Sequence, residues 1–268
     1  MLTLASICLN EEEFIGAWLA YHYRSFDRIV ICEGAARDYP REAVTDEGLS
    51  TDRTASIVRH FPDPEGKIKF IQYGWAGPTS STDDRVFAKM ELRNAYAEHI
   101  EDGYAFTLDI DEFLHPHYVR ELARLMEENR HLSACAIPQL HLWQNSRQFI
   151  TGGYADFAHF RLYRWSAGSR YVVNHNWPSS ADGNLLTDLG LKLKLQFEDG
   201  ELIAPAIIHY GFCEWKTSMQ QKNRYYLARG EELTRPSTTA FRRAALEGSL
   251  PDGCVVHSYR GFLPYSPE

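Results

Sequence analysis

The chain has 268 residues, 44% hydrophobic and 13% aromatic, enough to bury a sizeable core in one large domain or a domain with an appendage. Its net charge of −8, with 28 basic residues scattered among 36 acidic ones, excludes the basic footprint that nucleic-acid binding requires. No stretch reaches the ~18 consecutive apolar residues of a membrane-crossing helix.

The chain order begins with Leu2 to Cys8, a short apolar run that predicts a strand. No basic leader precedes it, and the five cysteines (Cys8, Cys32, Cys135, Cys213, Cys254) are too widely spaced for a disulfide frame or a zinc site. We therefore expect a cytoplasmic protein with reduced core thiols. Asn10 and the triplet Glu11-Glu12-Glu13 open a helix in which Phe14, Ile15, Trp18, Leu19 and His22 recur at helical spacing. Arg28 to Gly34, RIVICEG, reads as a second strand ending in an acid. Residues 35–49 lack periodicity and carry Gly, Pro and mixed charge, which predicts a loop insertion. Ser50 to Thr54, STDRT, starts a helix with Asp52 near its cap. KIKFIQY is a third strand, followed by GWAGP (Gly74 to Pro78), a plain turn or a loop near a ligand. A long helix from Asp83 or Asp84 through His99 leads to a fourth strand, Tyr104 to Leu108.

The second half changes character. ACAIPQLHLW, HFRLYRW, LKLKLQF and ELIAPAIIHY carry the alternation of antiparallel or mixed strands, and a helix over residues 214–229 precedes a tail rich in Pro, Gly and Ser. Short links between alternating strands and helices imply right-handed crossovers. The expected fold class is therefore α/β, a mostly parallel sheet flanked by helices with a mixed or antiparallel second half. We expect one interwoven domain over residues 1–268, its halves meeting near residue 115. Ligands in such sheets gather at the carboxyl ends of strands, where Asn10-Glu11, Glu33-Gly34 and Asp109-Ile110-Asp111 all fall.

Asp109 and Asp111 end an apolar strand one residue apart, with Glu112 next. Carboxylates this crowded repel and resist desolvation unless something positive compensates. A hard divalent cation, Mg²⁺ or Mn²⁺, takes oxygen ligands from one or two carboxylates and completes its sphere with substrate phosphates. The competing explanation is a helix start, with acids solvated at its positive end. The apolar pair Phe113-Leu114 directly after the acids favours a site. On the preceding helix Lys89 and Arg93 stand four residues apart on one face, placed to contact phosphate or the acids, or simply to face solvent.

The stretches ICLNEEEFIGAWLAYH, FDRIVICEG, LSTDRT, KMELRN, FTLDIDEFL and IIHYGF, in this order, resemble glycosyltransferases of the GT-A fold, especially family 2 and its relatives carrying Asp-x-Asp-Glu-Phe. The resemblance covers most of residues 2–115 and a later patch at His209. It implies a nucleotide-diphosphate sugar donor (UDP-linked), bound in the half before residue 115, and a hydroxyl acceptor (a glycan, a glycolipid or a small hydroxylated molecule) bound in the half after it. It further implies that Asp109, Asp111 and His209 hold Mn²⁺ or Mg²⁺, that Asn10, Glu11 and Glu33 line the nucleotide pocket, and that Arg93, with Lys89, supports the diphosphate. The insertion at 35–49 departs from the family pattern, and the Glu-Asp pair where inverting relatives place their base is not found.

Inversion needs a base to deprotonate the acceptor hydroxyl. NHNWPSSADGN (174–184) offers His175 and Asp182 beside a Trp suited to a sugar ring; Asp156 and Glu214 are rivals, and each has an ordinary reading as a backbone-bonding loop residue. Lys216, Lys222 and Arg224 meet phosphate or solvent. HPH (His115, His117) lacks the partners of a zinc site. Two rivals remain for the function: a nucleotidyltransferase or sugar-nucleotide pyrophosphorylase, which would show a Gly-rich basic loop where this chain has Asn-Glu-Glu-Glu, and a non-catalytic nucleotide-sugar-binding module.

Overall fold

The computed structural model describes residues 1–77, 84–174, 177–198, 201–213, 236–261 and 263–265. The chain divides into two compact units. The first comprises Met1–Ile110, Pro116–Ala136 and Phe160–Lys192; the second comprises Asp111–His115, Ile137–His159 and Leu193–Glu268.

The first unit is built on strands β1 (Leu2–Cys8), β2 (Arg28–Ala36), β3 (Ile68–Ala76), β4 (Gly103–Thr107), β6 (Ala134–Ile137), β9 (His159–Trp165) and β12 (Gly190–Lys192). They form one seven-stranded sheet in the order β12-β6-β9-β4-β1-β2-β3. The β1–β2, β2–β3, β1–β4 and β6–β12 pairs are parallel, and β4–β9 is antiparallel. Helices α1 (Ile15–His22), α2 (Thr54–His60) and α3 (Asp84–Ala97) supply the crossovers between β1 and β4; α4 (Pro116–Glu128) follows.

Because β2 is buried along nearly its whole length, both faces of the sheet are covered, and its centre, Ile29 to Cys32, is a continuous apolar run rather than an alternation. On one face Ala88, Leu92 and Tyr96 of α3 pack with Ala5, Val30 and Cys32. On the other, Phe26 meets Phe106 edge-on, and a run of rings through His22 leads back to Trp18 of α1. The apolar positions read at helical spacing, Phe14, Ile15, Trp18, Leu19 and His22, are all fully buried. Each such side chain contributes about 1.5–3 kcal/mol. Gly34 is required where β2 passes β3: a Cβ there would overlap the Gly74 carbonyl and the Leu92 side chain.

The second unit holds β5 (Glu112–Leu114), β7 (Gln139–Gln144), β8 (Gln148–Thr151), β15 (Ile207–Cys213) and β16 (Val255–Ser258), a mixed sheet in the order β16-β8-β7-β15-β5. Strand β15 runs parallel to β7 and antiparallel to β5. Helix α5 (Pro236–Glu247) brings Phe241 and Ala244 onto Trp143, Ile150, Ala155 and Cys254. The LKLKLQF run, expected to be one strand, is broken: β12 ends at Lys192 and only the pair Phe197–Glu198 resumes extended pairing, antiparallel to Glu201–Leu202. All five cysteines are buried thiols. No helix among the described residues is long and apolar enough to cross a membrane.

Candidate functional site

In the first unit the carboxyl ends of β1 and β2 meet the 35–53 segment. Asn10 adopts a left-handed conformation (φ 53°), which Asn tolerates better than most residues. Its backbone N–H donates to Ser50 Oγ (2.9 Å), its amide donates to the Ala43 carbonyl (2.7 Å), and its Oδ1 accepts from the Thr51 N–H (2.9 Å). The Glu11 N–H donates to the buried Thr54 hydroxyl at 2.7 Å, and Asp52 accepts from both Glu12 and Thr54 N–H groups. Asp52 and Thr54 thus tie the start of α2 to the turn after β1. Glu33 is fully buried and accepts from the Ser50 N–H (3.1 Å) and the Gln72 amide (2.8 Å). The insertion also rests on Trp75 at the end of β3. Arg41 lies 3.9 Å over its ring, and its indole N–H donates to the Asp46 carbonyl. The side chains of Asn10 and Glu33 therefore hold this insertion. Burial, and next the charges of Glu33 and Glu11, push the Cys8 thiol well above its ordinary value, which marks these strand ends as electronegative.

At the end of β4, Asp109 faces two nearly buried guanidinium groups: Arg161 Nη2 at 3.2 Å from Oδ2 and Arg93 Nη2 at 3.7 Å from Oδ1. The carboxylate itself is 38% exposed. Arg93 lies in a wall of aromatic hydroxyls, with the Tyr171 ring 5.6 Å away and the Tyr171 and Tyr96 hydroxyls bonded to each other at 3.0 Å. Asn94, beside it, brackets the Tyr171 backbone, donating to its carbonyl and accepting from its N–H. Lys89, one turn earlier on α3, is half-buried. The compensation that crowded acids demand is thus partly built into the protein. Arg161 was not among the residues singled out from the sequence. Its signal is its parity: in HFRLYRW it shares the inward face with Tyr163 and Trp165, an unusual place for a charge.

Asp109 and Asp111 lie between β4 and β5, while the following helix starts at Pro116. A helix-start role for the acids is therefore excluded. In the second unit, Asp111 is almost fully buried and its backbone carbonyl accepts from the Tyr210 N–H at 3.0 Å. Its Oδ2 stands 3.5 Å from Nε2 of His209 on β15. The other ring nitrogen of His209, Nδ1, lies 2.7 Å from Nδ1 of His141 on β7, its register partner across the parallel pair. Burial, with His209 and His159 adding to it and Asp111 opposing, holds the His141 imidazole well below its ordinary pKa, so it is neutral. Glu112, also buried, pairs with the Gln139 amide. Opposite this group Gly211 leaves room: a Cβ there would overlap His209 Nε2 and stand 3.2 Å from Asp111 Oδ2.

Among the described residues no group of three or more His, Cys, Asp or Glu is arranged to hold a metal. Asp111 and His209 nonetheless fit a cation that takes few protein ligands. One carboxylate oxygen and one imidazole nitrogen stand 3.5 Å apart, and this donor set suits Mn²⁺ and, with more oxygen from substrate or water, Mg²⁺.

Asp182 lies in an exposed turn before Gly183; His175, Glu214, Lys216, Lys222 and Arg224 lie outside the described residues. Asp156 accepts from the Gly152 N–H at 2.8 Å and borders a cleft of about 610 Å³ with Phe157, Phe241, Asp252 and Cys254. His117 pairs with Glu121 one turn along α4 at 3.0 Å, an ordinary surface contact.

No protein-family profile and no curated protein matches the chain. Among solved structures it is similar to Staphylococcus aureus TarS 1-349, at 12% identity over 91% of this chain and 69% of that one, with a TM-score of 0.43. The same protein in complex with UDP-GlcNAc aligns at 13% identity over 91% and 72% of the two chains, also with a TM-score of 0.43. In a crystal structure of TarS the matched part is 42% of that chain.

Proposed function

We propose that this chain is a metal-dependent glycosyltransferase of GT-A type. It would pass a sugar from a nucleotide-diphosphate donor, UDP-linked, to a hydroxyl of a glycan, glycolipid or small hydroxylated acceptor, with inversion. The observation that carries the reading is the Asp111–His209 pair, 3.5 Å apart, with Asp111 directly after the strand that delivers the Asp-x-Asp motif. Asp111 and His209 would hold Mn²⁺ or Mg²⁺, which when bound neutralises the charge gathering on a departing diphosphate.

The chain's own residues would do the rest. Arg93 and Arg161 fix Asp109 in direction, so its partly exposed carboxylate accepts hydrogen bonds from donor hydroxyls. Asn10, Glu11 and Glu33 brace the strand ends and the insertion that forms the pocket rim. The acceptor hydroxyl attacks the anomeric carbon as its proton passes to a base, for which Asp182 and His175 are the candidates. The turn after β1, Asn-Glu-Glu-Glu laced to STDRT, supports a transferase over a nucleotidyltransferase, which needs a Gly-rich basic loop there.

Calorimetric titration with UDP, GDP and CDP, each with and without Mn²⁺, tests the reading on wild type and on Asp111→Asn. Mn²⁺-dependent binding of one nucleotide, lost in the variant, is the expected result. A folded protein that binds none of the three refutes it. Binding without transfer to any acceptor or slow donor hydrolysis would identify a non-catalytic module.

A further inference from the structure

His209 has two ring nitrogens and, when neutral, one proton to place between them. Its Nδ1 is 2.7 Å from the Nδ1 of His141, so a single proton lies in that contact and one imidazole donates it to the other. Two arrangements follow. If His141 donates, the proton of His209 sits on Nε2 and points into the space beside Asp111, where it would oppose a cation. If His209 donates, its Nε2 carries a lone pair directed at that space.

We propose that His141 is a positioning residue for His209: it accepts the His209 Nδ1–H and so leaves the His209 Nε2 lone pair free on the side where Asp111 Oδ2 stands. The inference rests on the metal-dependent reading above and extends it to a residue that touches neither metal nor substrate. Three features of the fold support it. His141 and His209 are register partners on adjacent strands, so their side chains leave the sheet together. The rings cross at 73°, and Phe212 and Phe241 pack against His141 edge-on, which restricts its rotation. Asp111 Oδ2 stands 3.5 Å from Nε2, the ring nitrogen that His141 leaves uncontacted, and Gly211 lets the His209 ring lie close against the backbone there. Outer partners that fix a ligand's tautomer in this way change metal affinity by roughly 10–100-fold when removed.

The test is Mn²⁺ titration followed by electron paramagnetic resonance on wild type, His141→Leu, His141→Gln and Asp111→Asn, with thermal melts to confirm that each is folded. Nitrogen-15 histidine spectra of the wild type with Mg²⁺ read the His209 tautomer. The expected result is binding weakened roughly 10–100-fold in His141→Leu, largely restored in His141→Gln, whose Oε1 can accept, and an Nδ1–H tautomer for His209. Wild-type affinity in His141→Leu, with binding lost in Asp111→Asn, overturns this inference while leaving the proposed function standing. An Nε2–H tautomer in the Mg²⁺ sample overturns it as well. No Mn²⁺ binding by wild type overturns both. If His141→Leu does not fold, the Gln variant and the tautomer decide the matter.

Discussion

Gly211→Ala isolates the space in front of His209. The backbone at this glycine lies outside the left-handed region, so alanine brings no conformational strain, only one methyl group. That Cβ would stand 2.5 Å from His209 Cε1, closer still to Nε2, and 3.2 Å from Asp111 Oδ2. Restoring an ordinary 3.4 Å contact requires the His209 ring to retreat by at least about 0.9 Å (3.4 − 2.5). The ring has little freedom to do so, with His141 bonded at 2.7 Å behind it and the Phe212 ring centroid 5.4 Å away. Overpacking of this kind costs about 1–3 kcal/mol. The larger consequence is for the ligand, since the methyl crowds both His209 Nε2 and Asp111 Oδ2, the two donors proposed for the cation. We expect a modest loss of stability in denaturant titration together with loss of measurable Mn²⁺ binding and of Mn²⁺-dependent nucleotide binding by calorimetry. A Gly211→Ala protein that binds Mn²⁺ and nucleotide as wild type does would refute the assignment of this space to a metal.

Three other outcomes follow from the same geometry. Asp109→Asn removes the carboxylate from two buried guanidinium groups and, because that carboxylate is 38% exposed and screened by solvent, should cost about 1–3 kcal/mol in urea denaturation, whereas Arg161→Met, which keeps the Arg93 contact, should cost less. A change within about 0.5 kcal/mol for Asp109→Asn contradicts this, since such values belong to uncoupled surface sites. Glu33→Ala strips acceptors from the Ser50 N–H and Gln72 amide, and should cost about 2–3 kcal/mol and expose residues 37–49 to limited proteolysis; unchanged protease resistance counts against a bracing role. The third concerns pH. Because the fold holds His141 neutral below its ordinary value of 6.5, the unfolded chain binds the extra proton first. Its contribution is therefore complete above pH ~6.5 and declines as pH falls through that value toward the folded pKa, by up to about 1.4 kcal/mol per pH unit. Stability measured from pH 7.5 to 5 should fall more steeply for wild type than for His141→Gln; parallel curves remove the basis for this reading.

Much of the first unit was legible because its information is local. The apolar runs of β1, β2 and β4 are strands buried on both faces, and the spacing of Ile15, Trp18, Leu19 and His22 shows a helix with one buried side. The end of a parallel strand is also local information, so Asn10 and the Asp-x-Asp motif could be placed at strand ends from sequence, whereas Glu33, expected at the end of its strand, lies inside β2, which runs on to Ala36. Their partners could not. Glu33 reads as a pocket carboxylate until Ser50 and Gln72, far along the chain, are seen to occupy it. The LKLKLQF run has strand-like alternation yet yields only two short fragments, because tertiary partners and not alternation decide which residues pair.

By itself the sequence determined the alternating α/β order, the two-sided burial of the central strands and the point at which acids crowd together. These follow from periodicity and from the cost of burying unpaired charge. Only the tertiary structure decided what faces those acids: Arg93 and Arg161 on Asp109, and His209, with His141 behind it, beside Asp111. The physical reason is separation along the chain. Arg161 lies 52 residues from Asp109 and His141 lies 68 from His209, so sheet pairing brings them together, and pairing depends on packing that no local pattern encodes.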